Sequence, residues 1–160
     1  MIDTEVEYET SVEVNAPLEQ AWALLSDVKR SGMHFPGVQS LEPTAGLDGG
    51  WTWTMKEKGV GPISLKVQYD AVYSTDPDKH VVRWAPPARG GGDMESFGTW
   101  TLSETASGGT RLDFSARTVA HVPASRLVAK MVEMVAKEEL RKLKAEYVQA
   151  IKRSLDASVA

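Results

Sequence analysis

ASRLVAKMVEMVAKEELRKLKAEYVQAIKRSLDASVA, residues 124–160, contains neither glycine nor proline, and all 13 glycines and 8 prolines of the chain lie at or before Pro123. With the two strongest helix breakers absent and Ala, Leu, Lys, Glu and Met abundant, this stretch reads as one long helix. Such a helix needs an apolar surface to lie on, and the residues before it supply one. In residues 6–14, Val6, Tyr8, Thr10, Val12 and Val14 alternate with Glu7, Glu9, Ser11 and Glu13, the signature of a strand with one wet face. Asn15-Ala16-Pro17 then opens a short helix: Asn15 is suited to cap it, Pro17 to its first turn and Glu19 to its positive end. Leu18, Ala21, Trp22 and Leu25 give that helix its core face, and a second short turn is expected between Lys29 and Met33.

From Phe35 onward turn signals recur, at Pro36-Gly37, Asp48-Gly49-Gly50, Gly59-Val60-Gly61-Pro62, Asp76-Pro77-Asp78, residues 86–92 and Ser107-Gly108-Gly109. Between them lie strand-like runs at residues 38–43, 51–58, 63–74, 80–85, 95–104 and 110–121. The expected architecture is α+β. A curved, seven-stranded antiparallel sheet wraps around a long C-terminal helix, with two short helices after the first strand, in one domain spanning residues 1–160.

Alternation places Trp51, Trp53 and Met55 on one inner face, followed by Leu65, Val67, Tyr69, Ala71 and Tyr73. Val82 and Trp84, Trp100 and Leu102, and Leu112, Phe114 and Ala116 continue it. Large rings on a concave sheet either fill a core or line a pocket, and the sequence leaves both open. On the long helix, Leu127, Met131 and Met134 share one edge and Val128, Val132 and Val135 the other, at about 100° per residue. Further along, Leu140, Leu143, Tyr147 and Ile151 rotate away, and Glu138 and Lys142 take over the methionine edge as an i,i+4 pair. The helix thus divides into a first half that closes a cavity and a second half that anchors it. Flexible methionines suit a wall that meets variable partners. The candidate lining is Trp53, Met55, Leu65, Val67, Tyr69, Trp84, Trp100, Leu112, Phe114, Leu127, Met131 and Met134, with residues 86–92 and the start of the helix gating the mouth.

Composition narrows the function. With 160 residues and 42% hydrophobic content, one sizeable core is feasible. The net charge of −4 argues against nucleic acid as a partner. Arg141, Lys142 and Lys144 form the locally basic part of the helix and read as a solvated face, with transient contact to anionic lipid as the alternative. No cysteine is present, so no disulfide or thiolate metal site is expected, which suits a reducing compartment. The N-terminal Met-Ile-Asp-Thr-Glu-Val-Glu has no apolar core of signal-peptide length, and no segment approaches the ~20 apolar residues of a membrane span, so a cytoplasmic protein is expected.

No catalytic constellation stands out. His34, His80 and His121 are far apart without metal-ligand spacing, so no metal or other cofactor is assigned. There is no G-x-S-x-G elbow, P-loop or dinucleotide fingerprint, and Arg89-Gly90-Gly91-Gly92 joins two strands rather than opening a helix. Glu95 and Glu138 are the carboxylates with a chance of facing a cavity, and each reads first as a solvated charge.

The order strand, helices, meander, long helix, with Asn15-Ala16-Pro17-Leu18-Glu19-Gln20-Ala21-Trp22 at the first helix, resembles the START-like (SRPBCC) superfamily, from about Val6 to Ile151. Three stretches are similar to two of its groups, the CoxG-like proteins associated with carbon monoxide dehydrogenase and the polyketide cyclase/dehydrase and lipid-transport proteins. They are Phe35-Pro36-Gly37-Val38-Gln39-Ser40-Leu41-Glu42, Val60-Gly61-Pro62-Ile63-Ser64-Leu65-Lys66 and Gly108-Gly109-Thr110-Arg111-Leu112. The resemblance implies a helix-grip fold with a hydrophobic cavity between sheet and helix that takes lipids, isoprenoids or polyketides. It also implies, for CoxG-like members, membrane association and a protein partner in the assembly of a molybdenum dehydrogenase. Some of those carry a linker and apolar anchor after the domain, which this sequence, ending at Ala160, is not expected to share. The leading expectation is a non-catalytic carrier or sensor of a hydrophobic small molecule. The alternatives are a cyclase or dehydratase using Tyr69, Glu95 or His121, and an assembly factor acting through its surface.

Overall fold

The computed structural model describes residues 1–159. Strand β1 (Ile2–Val14) is followed by helices α1 (Leu18–Leu25) and α2 (Val28–Gly32), then by β2 (Val38–Pro43), β3 (Gly50–Met55), β4 (Lys58–Val60), β5 (Ile63–Leu65), β6 (Gln68–Asp76), β7 (Val81–Ala85), β8 (Met94–Glu104) and β9 (Thr110–Val122), and it ends in the long helix α3 (Ala129–Ala157). Seven strands form one antiparallel sheet in the order β1-β9-β8-β7-β6-β3-β2, and α3 lies in its concave face in a helix-grip arrangement. The successive hairpins follow from the turn signals, and β1 closes the meander by pairing with β9 along its whole length, from Ile2 opposite Val122 to Val14 opposite Thr110.

Two strand-like runs divide where one strand each was expected. Residues 51–58 and 63–74 both break, and their middle portions form a separate two-stranded hairpin, β4–β5. Gly61, at φ 59°, and Pro62 make its two-residue turn, a positive-φ position followed by a ring-constrained one. The start of β7 also moves from His80 to Val81, because His80 itself turns the chain at φ 55°.

Capping of α1 differs from the sequence reading. Pro17 is the N-cap and no side chain caps the helix. The Asn15 backbone N–H instead donates to Asp156 Oδ1 at 2.8 Å, tying the end of β1 to the last turn of α3. In α2 the cap is Asp27, whose side chain accepts from the Arg30 N–H at 3.0 Å.

Helix α3 starts at Ala129, with Val128 as N-cap and Leu127 before it, later than the expected start at Ala124; Ala160 lies outside the described residues. Its C-terminal half packs Tyr147, Val148, Ile151 and Leu155 into the main core with Leu24, Leu25, Trp100, Leu112 and Phe114. Its N-terminal half packs Val132 and Ala136 against Val60, Ala120 and Val122. Among the described residues no helix is long and apolar enough to cross a membrane.

Candidate functional site

The two halves of α3 are held by different clusters, and between them a cavity of about 240 Å³ remains under the middle of the helix. Its sheet wall comes from β3, β6, β7, β8 and β9, which place Trp53, Tyr69, Tyr73, Trp84, Trp100 and Phe114 inward by strict alternation. Its roof is α3 from Ala136 to Tyr147, and Phe35, Gly32 and Leu25 close one end. The rings form a continuous lining. Trp53 stacks on Tyr69 at 5.9 Å and 7°, Tyr73 on Trp84 at 5.8 Å, and Tyr147 meets Phe35 at 5.3 Å and Phe114 at 5.8 Å.

Polar groups converge on this apolar space. The Trp100 indole N–H donates to the Tyr147 hydroxyl at 3.4 Å. Burial, and then the neighbouring phenol of Tyr147, raises the pKa of Tyr69 far above the ordinary value; burial and the other two phenols do the same to Tyr73; burial pushes Tyr147 up to about 12. All three are protonated phenols at neutral pH and serve as hydrogen-bond donors, not bases. The Trp53 indole N–H is buried near the Tyr73 hydroxyl without a well-formed hydrogen bond. Lys144, on the roof, is 5% exposed, and burial alone pushes its pKa down to about 8. The exposed lining residues Gly37, Lys56 and Lys58 mark the mouth, where Lys58 pairs with Glu139 of α3.

Of the sequence candidates, Trp53, Met55, Leu65, Val67, Tyr69, Trp84, Trp100 and Phe114 line the cavity. Leu112 is fully buried in the main core and does not. Leu127, Met131 and Met134 lie outside it, 97%, 51% and 66% exposed, because α3 turns its valine edge toward β4, β5 and β9 and leaves its methionine edge in solvent. The duties of the helix halves are therefore not those expected: residues of the middle roof the cavity, and both ends anchor. Residues 86–92 are likewise absent from the lining, so the mouth is elsewhere than expected.

Glu95 and His121 face away from the cavity, since their neighbours Met94, Ala120 and Val122 take the inward positions. On the outer face His121 Nδ1 meets Asp3 Oδ1 at 2.7 Å and Nε2 meets Glu95 Oε1 at 3.3 Å, and the Asp3 bond, then the Glu95 bond, raises its pKa. Glu95 also accepts from the Gly91 N–H, at 3.0 and 2.8 Å to its two oxygens. Glu138 is exposed, and Lys142 lies 4.0 Å from Glu146 rather than pairing with Glu138. Among the described residues no group of three His, Asp or Glu side chains is placed to hold a metal ion.

The sequence reading missed Lys144 by assigning it, with Arg141 and Lys142, to a solvated face. Arg141 and Lys142 are exposed and Lys144 is buried. One signal was present: Lys144 is three residues before Tyr147 and one after Leu143, on the inward arc of the helix.

The family model for polyketide cyclase / dehydrase and lipid transport matches residues 5–148. Solved structures similar to the chain include the aromatase/cyclase ZhuI from Streptomyces sp. R1128, at 14% identity and TM-score 0.69, covering 98% of this chain and 96% of that one. They include a norcoclaurine synthase point mutant from Thalictrum flavum, at 14% identity and TM-score 0.63, covering 100% and 99%. A Staphylococcus aureus protein of unknown function, SA2116, matches at 13% identity and TM-score 0.64, covering 98% and 97%. At these identities the likeness is one of fold. A comparison with curated protein sequences gives no significant match.

Proposed function

The chain belongs to the polyketide cyclase / dehydrase and lipid transport family, and from that premise we propose that it binds and carries an apolar small molecule in the cavity beneath α3. The observation that carries this reading is a preformed, aromatic-walled space of about 240 Å³ with a few convergent donors. Its volume lies just below the range of about 300–1,000 Å³ usual for ligand pockets, which favours a ligand of one or two rings or a medium chain over a two-chain membrane lipid. Binding is driven by removal of apolar ligand surface from water, at roughly 25 cal/mol per Å². The phenols of Tyr69, Tyr73 and Tyr147 orient the ligand through its oxygens. We place this activity in the cytoplasm on the acidic, cysteine-free composition.

Uptake of the fluorescent probe N-phenyl-1-naphthylamine tests the reading. The parent protein takes up the probe, and Leu143→Trp, which fills the space from the roof, abolishes uptake while the far-UV spectrum stays the same. Equal uptake by both proteins would sink the assignment. Native mass spectrometry of protein from its own host would then identify the cargo.

A second reading, a cyclase or dehydratase acting on a polyketide-like substrate, is favoured by Lys144 and the three phenols, a polar set able to polarise a carbonyl in a dry site. Tyr69 stays available to it; Glu95 and His121, on the outer face, do not. The assembly-factor reading rested on a filled interior and gains nothing from this cavity.

A further inference from the structure

Lysines elsewhere on α3 find carboxylates: Lys137 meets Glu133 at 3.1 Å, Lys152 meets Asp156 at 3.0 Å, and Lys142 lies 4.0 Å from Glu146. Lys144 is the exception. It is the charged residue among the helix's buried positions, it lines the cavity, and among the described residues its ammonium has neither a carboxylate nor a hydrogen-bond partner. Its pKa shift has desolvation as its whole cause, which agrees with the geometry: no anion stands near it. Burying a charge without a partner costs several kcal/mol, a cost usually offset by an ion or ligand.

The other charges of the lining do not meet this need. Lys58 and Glu139 pair with each other at the mouth, and Lys56 and Glu146 are exposed. The unmatched charge inside is positive. The other unsatisfied polar group on this wall, the buried Trp53 indole N–H, is also a donor. Two kinds of donor and no free acceptor call for a ligand that brings acceptor oxygens and negative charge.

Resting on the reading of the cavity as a ligand site, we infer that its ligand is an apolar molecule ending in a single carboxylate, which pairs with the Lys144 ammonium while the hydrocarbon body lies against the aromatic wall. One ammonium balances one carboxylate. A phosphate monoester, at about −1.5 to −2 near neutral pH, would leave charge uncompensated in the same apolar space. Tyr147, three residues along the same side of the helix, stands beside Lys144 to donate to the second carboxylate oxygen.

Isothermal titration with decanoate, 1-decanol and decyl phosphate tests this on the whole chain. The parent is expected to bind decanoate roughly ten- to hundred-fold more tightly than 1-decanol, the worth of one charge-assisted hydrogen bond. Lys144→Met, which keeps the length of the side chain and removes the charge, is expected to lose that preference while binding 1-decanol at least as well. Lys58→Met is expected to keep it. The inference is overturned if the parent binds decanoate and 1-decanol equally, if Lys144→Met retains the preference, if the preference disappears in Lys58→Met instead, or if decyl phosphate binds more tightly than decanoate. In each of those cases the cavity remains a ligand site. Failure of the parent to bind any of the three, or N-phenyl-1-naphthylamine, would overturn both this inference and the carrier reading.

Discussion

At the scale of single residues, Lys144 sets a measurable pH dependence. Burial lowers its pKa from 10.5 to about 8, so between those values the unfolded chain holds a proton that the folded chain has released. The folded state bears the whole cost of the buried charge below pH 8, and that cost is relieved as pH rises from 8 toward 10.5. Lys144→Met is therefore expected to be more stable than the parent by about 3 kcal/mol at neutral pH. The advantage shrinks as the pH rises to about 10. Urea unfolding of both proteins across that range measures it. The raised pKa values of Tyr69, Tyr73 and Tyr147 act in the opposite sense at higher pH, but they are common to both proteins and cancel in the difference. A variant no more stable than the parent at neutral pH would mean that the ammonium is solvated in the folded protein.

Gly98 is the complementary case, a position defined by what it lacks. It pairs directly with Trp84 across β7 and β8, and a Cβ there would overlap the Trp84 ring and lie 2.8 Å from the Ser115 carbonyl oxygen. The indole therefore lies across β8 because no side chain is in the way. Gly98→Ala is expected to cost about 1–3 kcal/mol and to displace Trp84 from Tyr73 and Phe114. Denaturant unfolding and the near-UV circular dichroism of the lining tryptophans check the two effects. An unchanged near-UV spectrum would show that the wall tolerates the methyl group.

At the scale of elements, α3 is a girder fixed at two places and roofing a space between them. Its anchors are Val132 with Ala136 at one end, and Val148, Ile151 and Leu155 at the other. Replacing Met131 and Met134 with serine is thus expected to leave stability within about 0.5 kcal/mol and probe uptake unchanged. Loss of uptake in that double variant would put the methionine edge back into the cavity wall. The β4–β5 hairpin is the other element at the mouth. It is a two-stranded unit of its own, held to α3 through Val60 and the Lys58–Glu139 pair. Isolated hairpins are marginal, so its amides are expected to exchange much faster than those of the β1–β9 pair and to gain the most protection when ligand binds. Hydrogen exchange with and without decanoate reads this directly; equal protection of both pairs in the free protein would argue against a mobile flap.

For the molecule as a whole, binding to the folded state alone must raise stability by mass action. A ligand at 100 times its Kd contributes about 2.7 kcal/mol, which raises the midpoint of thermal unfolding by roughly 5–10 °C for a domain of this size. Thermal melts with increasing decanoate test it, and a midpoint that does not move would exclude folded-state binding at the concentrations used. The match in fold to an aromatase/cyclase and to a norcoclaurine synthase, at 14% identity each, shows how far the cavity architecture is separable from any one set of lining residues.

Architecture was largely legible along the chain because its causes are local. Alternation from Val6 to Val14 made one edge strand, the spaced glycines and prolines made the hairpins, and their absence after Pro123 made α3. Much of the aromatic wall was legible too, because a strand side chain points to one face or the other and Trp53, Tyr69, Trp84, Trp100 and Phe114 all fall on the same one. The rotation of α3 was not. A helix with two apolar edges satisfies its own pattern in either orientation, and only packing against Val60, Ala120 and Val122 selects the valine edge over the methionine edge. Nor was the burial of Lys144, which looks like its exposed neighbours Arg141 and Lys142 until the sheet curves over it. The sequence by itself thus determined the elements, their order and the face each strand turns inward, since these follow from near-neighbour sterics and periodicity. The tertiary structure alone decided where the space remains and which charge stands in it. A cavity is the mismatch between two packed surfaces distant in sequence, and no local pattern records it.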